Sequence, residues 1–139
     1  MPTMTRAERE AFLADLHVGV IAIERPARAP LAVPIWYAYE PGGELLIWIE
    51  TGSVKARCIR DAGRFSLTAQ DEHPPYRYVT VEGEVSSIEP ASAEIALLIA
   101  VRYLGKEAGA EYVEQNLTAE TVVVRMRPQR WLSLDPSRQ

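Results

Sequence analysis

The connections between the apolar segments of this chain constrain its fold more than any other feature. A parallel strand pair needs a crossover of a dozen or more residues, whereas antiparallel strands close through a few. Here Val18–Ile23 is separated from Leu31–Tyr39 only by Arg25-Pro26-Ala27-Arg28-Ala29-Pro30, and Glu40-Pro41-Gly42-Gly43 leads directly into Glu44–Thr51. Proline presets one turn dihedral and glycine admits positive φ, so both connections read as turns. Arg64–Gln70 is strand-like again, and the polar, proline-bearing loop Asp71–Pro75 divides it from the long strand Tyr76–Ile88. Within that strand Glu82-Gly83 marks a bulge or bend, so that two packing surfaces can share it. Thr121–Leu134 is the closing strand region. Antiparallel pairing of about six strands follows.

Helical signals are few and local. Thr5 and Glu8 have the spacing of a capping box ahead of the apolar stripe Phe12, Leu13 and Leu16. Ser53 can cap a short helix through Val54, Lys55, Cys58 and Ile59 to Asp61. Ala91–Leu104 is long enough for a real helix and stops before Gly105, and Glu107–Gln115 forms another short one. The expected interior is Val18, Val20, Ile47, Ile49, Val79, Val81, Val122 and Val124. Together these features predict a mainly β fold with peripheral helices, closed as a small six-stranded antiparallel barrel that removes most exposed edges.

At 139 residues the chain reads as one domain over 1–139, with 1–9 and 136–139 as flexible ends. A formal net charge of -4 disfavours binding to nucleic acid or an anionic membrane surface. No apolar run reaches spanning length and the N-terminus lacks the pattern of a secretory signal. Cys58 is the single cysteine, which excludes an intrachain disulfide and a multi-cysteine metal site and fits a reducing cytoplasm. His17 and His73 are too few and too isolated for a metal, so no metal site is expected, and Cys58 reads as a buried small hydrophobe.

Three runs then carry a resemblance: Pro34-Ile35-Trp36-Tyr37-Ala38-Tyr39, Leu46–Arg57 with Thr51-Gly52-Ser53-Val54-Lys55-Ala56-Arg57 at its end, and Asp61–Leu67. Tyr78–Val85, Arg102-Tyr103-Leu104-Gly105 and Val124–Trp131 extend it to roughly residues 10–135. The chain resembles the pyridoxamine 5′-phosphate oxidase-like split-barrel superfamily. Its Ile35-Trp36-Tyr37 strand is most similar to the actinobacterial branch that uses the deazaflavin coenzyme F420, with the FMN-using branch as close rival. It departs from the vitamin enzyme itself: only Lys55 stands where that enzyme commonly has a basic pair, and its C-terminal Arg-rich segment is not evident. Oxidation of pyridoxamine phosphate is therefore not expected.

The resemblance implies a homodimer with cofactor sites at the subunit interface, an implication that agrees with more apolar strand residues than one small barrel can enclose. Ser53, Lys55 and Arg57, with Thr51 and Ala56 beside them, would receive the anionic end of a flavin or deazaflavin, because a cation at a helix start adds Coulomb attraction to free N–H donors. The same basic pair also reads as a solvated helix face. The ring would lie against the backbone of Val33, Pro34, Ile35 and Trp36, with Trp36 and Tyr37 facing opposite sides of the strand. Tyr76, Tyr78 and Thr80 would line the other wall, and Trp131 would reach the cofactor of the partner subunit. Trp36, Tyr37, Tyr76 and Tyr78 read equally as packing, and a lone Trp131 more often as core or interface filler.

Hydride transfer asks little of protein acid–base groups, so no catalytic side chain is assigned. The implied function is hydride transfer between F420 and a small conjugated or electron-poor organic substrate. The alternatives are an FMN-dependent protein and a non-enzymatic carrier or sensor of a flavin-like ligand.

Overall fold

Two of the six expected strands break in two, and the breaks shape the sheet. The computed structural model describes residues 2–138. Its elements run α1 (Arg6–Ala14), β1 (Gly19–Arg25), β2 (Arg28–Ile35), β3 (Tyr37–Tyr39), β4 (Leu45–Glu50) and α2 (Val54–Ala62), then β5 (Arg64–Gln70), β6 (Tyr78–Pro90), α3 (Ala93–Leu104), α4 (Lys106–Asn116), β7 (Thr121–Met126) and β8 (Arg130–Leu134). The eight strands replace the expected six because Trp36 interrupts Leu31–Tyr39 and Arg127-Pro128-Gln129 interrupts Thr121–Leu134. Proline has no N–H for a ladder, which explains the second break.

Every pairing is antiparallel, in the order β2-β1-β5-β6-β7-β4-β3, with β8 also on β6. The two ends of that order, β2 and β3, are neighbours in the chain, so the sheet has to curl back on itself. The 13-residue β6 makes this possible. Its first half pairs with β5 and β8, its second half with β7, and a register shift between Val85 and Ser87 bends it. One strand thus belongs to two sub-sheets, which is the split-barrel architecture.

The bulge lies at Val85–Ser87 and not at Glu82-Gly83. Gly83 has a different task. A Cβ built there would stand 1.7 Å from the Arg127 carbonyl oxygen. The chain leaving β7 crosses at this point, with the Arg127 N–H donating to Glu84 O (3.0 Å) and the Gln129 N–H to Glu82 O (2.9 Å).

Helix boundaries follow local chemistry. Thr5 and Glu8 form the reciprocal capping box of α1, Ser53 and Ser92 cap α2 and α3, and Gly63 ends α2 in the left-handed conformation at φ 70. The stretches expected as flexible ends make contacts in residues 2–9 and 136–138. The Asp135 N–H donates to Pro2 O, Met4 is buried with its N–H on Ser133 Oγ, and Arg138 pairs with Glu8. Met1 and Gln139 lie outside the described residues.

Ile47, Ile49, Val79, Val81, Val122 and Val124 are buried as expected, whereas Val18 and Val20 are 54% and 42% exposed. On β1 the inward set is Gly19, Ile21 and Ile23. Both parities of Val18–Ile23 are apolar, so the alternation that normally selects a face is missing there. The helices α3 and α4 bury a second, smaller cluster of Ala96, Ala100 and Val113 against Trp48. Among the described residues no helix is long and apolar enough to cross a membrane.

A Gly83→Ala substitution should lower unfolding free energy by about 3 kcal/mol, the upper range for overpacking, because backbone rather than a flexible side chain must move. A urea midpoint equal to that of the parent protein would show that the β7–β8 crossing does not need glycine.

Candidate cofactor site

The start of α2 is built by the end of β4. Ser53 Oγ accepts from the Ala56 N–H (3.1 Å) and donates to Glu50 O (2.7 Å), so the cap is locked to the strand. The Val54 and Lys55 amides find no acceptor among the described residues, leaving two donors of the first turn open. Ala56 is 1% exposed and its N–H serves the cap, so it supports the turn from within. Thr51 is held from the other side by Arg60, whose Nη1 donates to Thr51 O (3.1 Å).

Lys55 and Arg57 form no ion pair among the described residues. They do not act together, however. Two positions along a helix turn the side chain by about 200°, and residues so spaced do not face one another. Lys55 is half-buried on the side toward the barrel, while Arg57 is exposed on the opposite flank. The start of α2 therefore presents Lys55, without Arg57, beside two unpaired main-chain amides. Sequence reasoning missed Arg60, although its basic side chain in the last turn of a capped helix was visible.

On the strand expected to carry the ring, the alternation divides the residues cleanly. Val33 packs against the core and Ile35 is buried, while Pro34 and Trp36 face outward. Tyr37 turns inward, fully buried, and its hydroxyl donates to Leu13 O (2.6 Å). Burial pushes the Tyr37 phenol well above its ordinary value, so it remains a donor. Trp36 stacks almost parallel on Tyr103, with centroids 5.0 Å apart, and lies 5.1 Å from Tyr112. Tyr112 in turn meets Trp48 edge to face at 5.6 Å. Trp36, Trp48 and Tyr112 wall, with Pro34, a cavity of about 200 Å³.

Tyr103 is fastened behind Trp36: its hydroxyl donates to His17 O (2.6 Å) and accepts from the Tyr37 N–H (3.1 Å). Trp48, Tyr103 and Tyr112 were not singled out from the sequence. Tyr103 stood in the Arg102–Gly105 run without a role, and Trp48 left a trace there, by alternating with Ile47 and Ile49 and so pointing out of the barrel. It also links the two parts of the site, since Trp48 Nε1 donates to Glu50 Oε1 (3.2 Å) and Glu50 O holds Ser53. At strand rise, Trp48 and Thr51 are about 10 Å apart.

Tyr78 and Thr80 lie on the outward face of β6, in the same sheet as Pro34. A cross-strand row runs from Pro34 to Val20, Thr68, Thr80 and Leu132. Thr68 and Thr80 join their hydroxyls at 2.8 Å, and Leu132 is 54% exposed. Trp131, by contrast, stands opposite the inward Val81. Its ring is covered by the Arg9 guanidinium at 4.9 Å and meets the edge of Tyr39. It lines a different cavity from Trp36. A wider hollow of about 600 Å³ near Glu24, Arg64 and Arg130 is polar, and its Arg64–Glu24 ion pair at 2.6 Å satisfies itself. Among the described residues no group of three or more His, Cys, Asp or Glu could hold a metal. His17 stacks on Phe12 at 4.4 Å and Cys58 is buried.

Residues 5–131 match the family model described as pyridoxamine 5′-phosphate oxidase. Among solved structures, an F420 reductase is 26% identical with a TM-score of 0.72, over 88% of this chain and 94% of that one. The conserved hypothetical protein Rv2991 from Mycobacterium tuberculosis is also 26% identical, with a TM-score of 0.78, over 97% of this chain and 87% of the other. An FAD-binding protein from Mesorhizobium loti shares the fold at 20% identity and a TM-score of 0.67, over 94% of each chain. The curated protein sequences contain no significant match. The curled antiparallel sheet that splits along β6 and the match over nearly the whole chain agree, and the protein belongs to the pyridoxamine 5′-phosphate oxidase family of flavin-binding split barrels.

Proposed function

We propose that this protein is an oxidoreductase that binds coenzyme F420 and transfers a hydride between it and a small conjugated or electron-poor organic substrate, at two sites shared across a homodimer. The observation that carries this reading is the junction of an aromatic-walled cavity with an anion-facing helix start through one strand, β4. The 26% identity to an F420 reductase favours the deazaflavin over FMN.

The residues present fit such a group. β2 ends the strand order, so its outer edge offers N–H and C=O groups that no strand among the described residues pairs. Those groups can meet the polar edge of a tricyclic ring, with Pro34 and Trp36 beneath it. Lys55 and the free Val54 and Lys55 amides hold the phosphate end by charge-assisted hydrogen bonds. Tyr78 supplies the far wall, while Arg57 on the outer flank adds long-range attraction only. Trp131 has no part in this reading, since it carries Arg9 over its ring and lines a different cavity from Trp36. When bound, the deazaflavin supplies a hydride from C5, and the protein orients the ring and excludes water.

FMN is the second reading, favoured by the family match itself. Titrating the purified protein with each cofactor separates the two: tight FMN binding with no F420 affinity overturns the first choice. Binding without turnover in a broad acceptor screen would make the protein a carrier.

The second copy covers the outward face of the β2-β1-β5-β6-β8 sheet, where Val18, Val20 and Leu132 are exposed without a partner. In this reading the second copy also closes the corner around Ser53 and Lys55.

Replacing Lys55 by alanine should weaken cofactor binding by about 1.5–3 kcal/mol, roughly 10- to 100-fold, measured by fluorescence titration. Unchanged affinity would remove Lys55 from the site. The pair Val20→Glu and Leu132→Glu should convert a dimer to a monomer in sedimentation and lose cofactor affinity with it; a stable monomer that keeps full affinity would contradict the shared site.

A further inference from the structure

The first turns of α1, the β3–β4 turn and the β7–β8 connection enclose a cavity of about 460 Å³ that the cofactor proposal leaves unused. Its volume lies within the range of small-molecule sites, about 300–1,000 Å³. The charged groups on its walls are Arg6, Arg9 and Arg127 against Glu10 and Glu44.

Both carboxylates are already engaged. Glu10 accepts from the Gly42 N–H (2.8 Å), the Tyr39 hydroxyl (3.2 Å) and Arg6 Nε (3.3 Å). Burial works against this charge, but the Gly42 amide, Tyr39 and Arg6 together outweigh it and hold the carboxyl below its ordinary value. Glu44 accepts from the Ser86 hydroxyl. With Arg6 consumed by Glu10, two cations remain, and neither Arg9 nor Arg127 has a carboxylate partner among the described residues.

Arg9 is positioned in advance. Its guanidinium sits over the Trp131 ring at 4.9 Å, and its Nε is buried without any hydrogen-bond partner. Its terminal nitrogens are not among the buried unpartnered atoms and form no hydrogen bond among the described residues, and Arg9 lines the cavity. A guanidinium fixed on an aromatic face with a free fork has the geometry that carboxylates and phosphates match. Holding it unpaired is costly unless an anion completes it.

We infer that this cavity is a second ligand site, independent of the cofactor, which takes a small organic anion by its carboxylate or phosphoryl group between Arg9 and Arg127. The body of the ligand rests on Trp131 and Pro128. Lys55 and Trp36 have no part in it.

The Trp131 indole N–H is a built-in reporter, identified among the three tryptophan signals in a ¹H–¹⁵N spectrum by Trp131→Phe. Benzoate and phenyl phosphate, added at constant ionic strength, should shift that signal saturably and leave Trp36 and Trp48 unmoved; inorganic phosphate distinguishes a bare oxyanion site from one that needs an organic body. Arg9→Gln should weaken binding at least about tenfold and Arg127→Gln severalfold, from loss of one charge-assisted contact each. Cofactor titration of both variants should match the parent. The inference fails if chloride produces the same shift, or if neither variant changes affinity. It fails also if Arg9→Gln weakens cofactor binding as Lys55→Ala should, for the cavity then belongs to the cofactor site. Should Arg9→Gln not fold, Arg127→Gln on the exposed connection decides alone.

Discussion

Closure of the sheet on itself at Ile35-Trp36-Tyr37 governs the rest of the molecule. The ends of the strand order are adjacent in sequence, so a few residues must leave one sub-sheet and enter the other without exposing backbone to the core. Ile35 and Tyr37 do this by both turning inward, and two helices pin the turn: α1 receives the Tyr37 hydroxyl and α3 supplies Tyr103 to the Tyr37 N–H. Hydrogen bonds of this kind are individually worth about 1 kcal/mol, but leaving either buried group unpaired costs more. Trp36, between two inward residues, has nowhere to go but out. Its outward position is thus a by-product of barrel closure.

The electrostatics follow a similar logic. The chain is acidic overall, yet its interesting cations are the ones that its carboxylates leave alone. Lys55 lies beside free amides at a helix start, and Arg9 lies on a tryptophan face, each without a carboxylate partner among the described residues. Ion pairs elsewhere, such as Arg64–Glu24, join exposed groups and contribute little to stability. What distinguishes the two corners is the absence of a partner where burial or geometry makes one desirable.

Elements whose signals are local were legible beforehand. Thr5 and Glu8 cap α1, Ser53 caps α2 and Gly105 ends α3 because each acts on groups within four residues of itself. The opposition of Lys55 and Arg57 follows from helical period alone, although the sequence reading grouped the two together. Val18 and Val20 were misplaced because either parity of that strand is apolar, and only the partner strand decides the face. The cluster of Trp36, Trp48, Tyr103 and Tyr112 draws on elements up to 76 positions apart, from Trp36 to Tyr112, so no window of sequence contains it.

By itself, then, the amino-acid order determined the antiparallel connectivity, the helix caps and the residue types available to bind an anion, because turns, caps and side-chain charge are properties of neighbouring residues. The tertiary structure alone decided which strands broke, which face of β1 turned inward, and that Trp131 packs under Arg9. Those outcomes depend on long-range packing: the crossing at Gly83 and the bend in β6 bring together surfaces that the chain holds far apart.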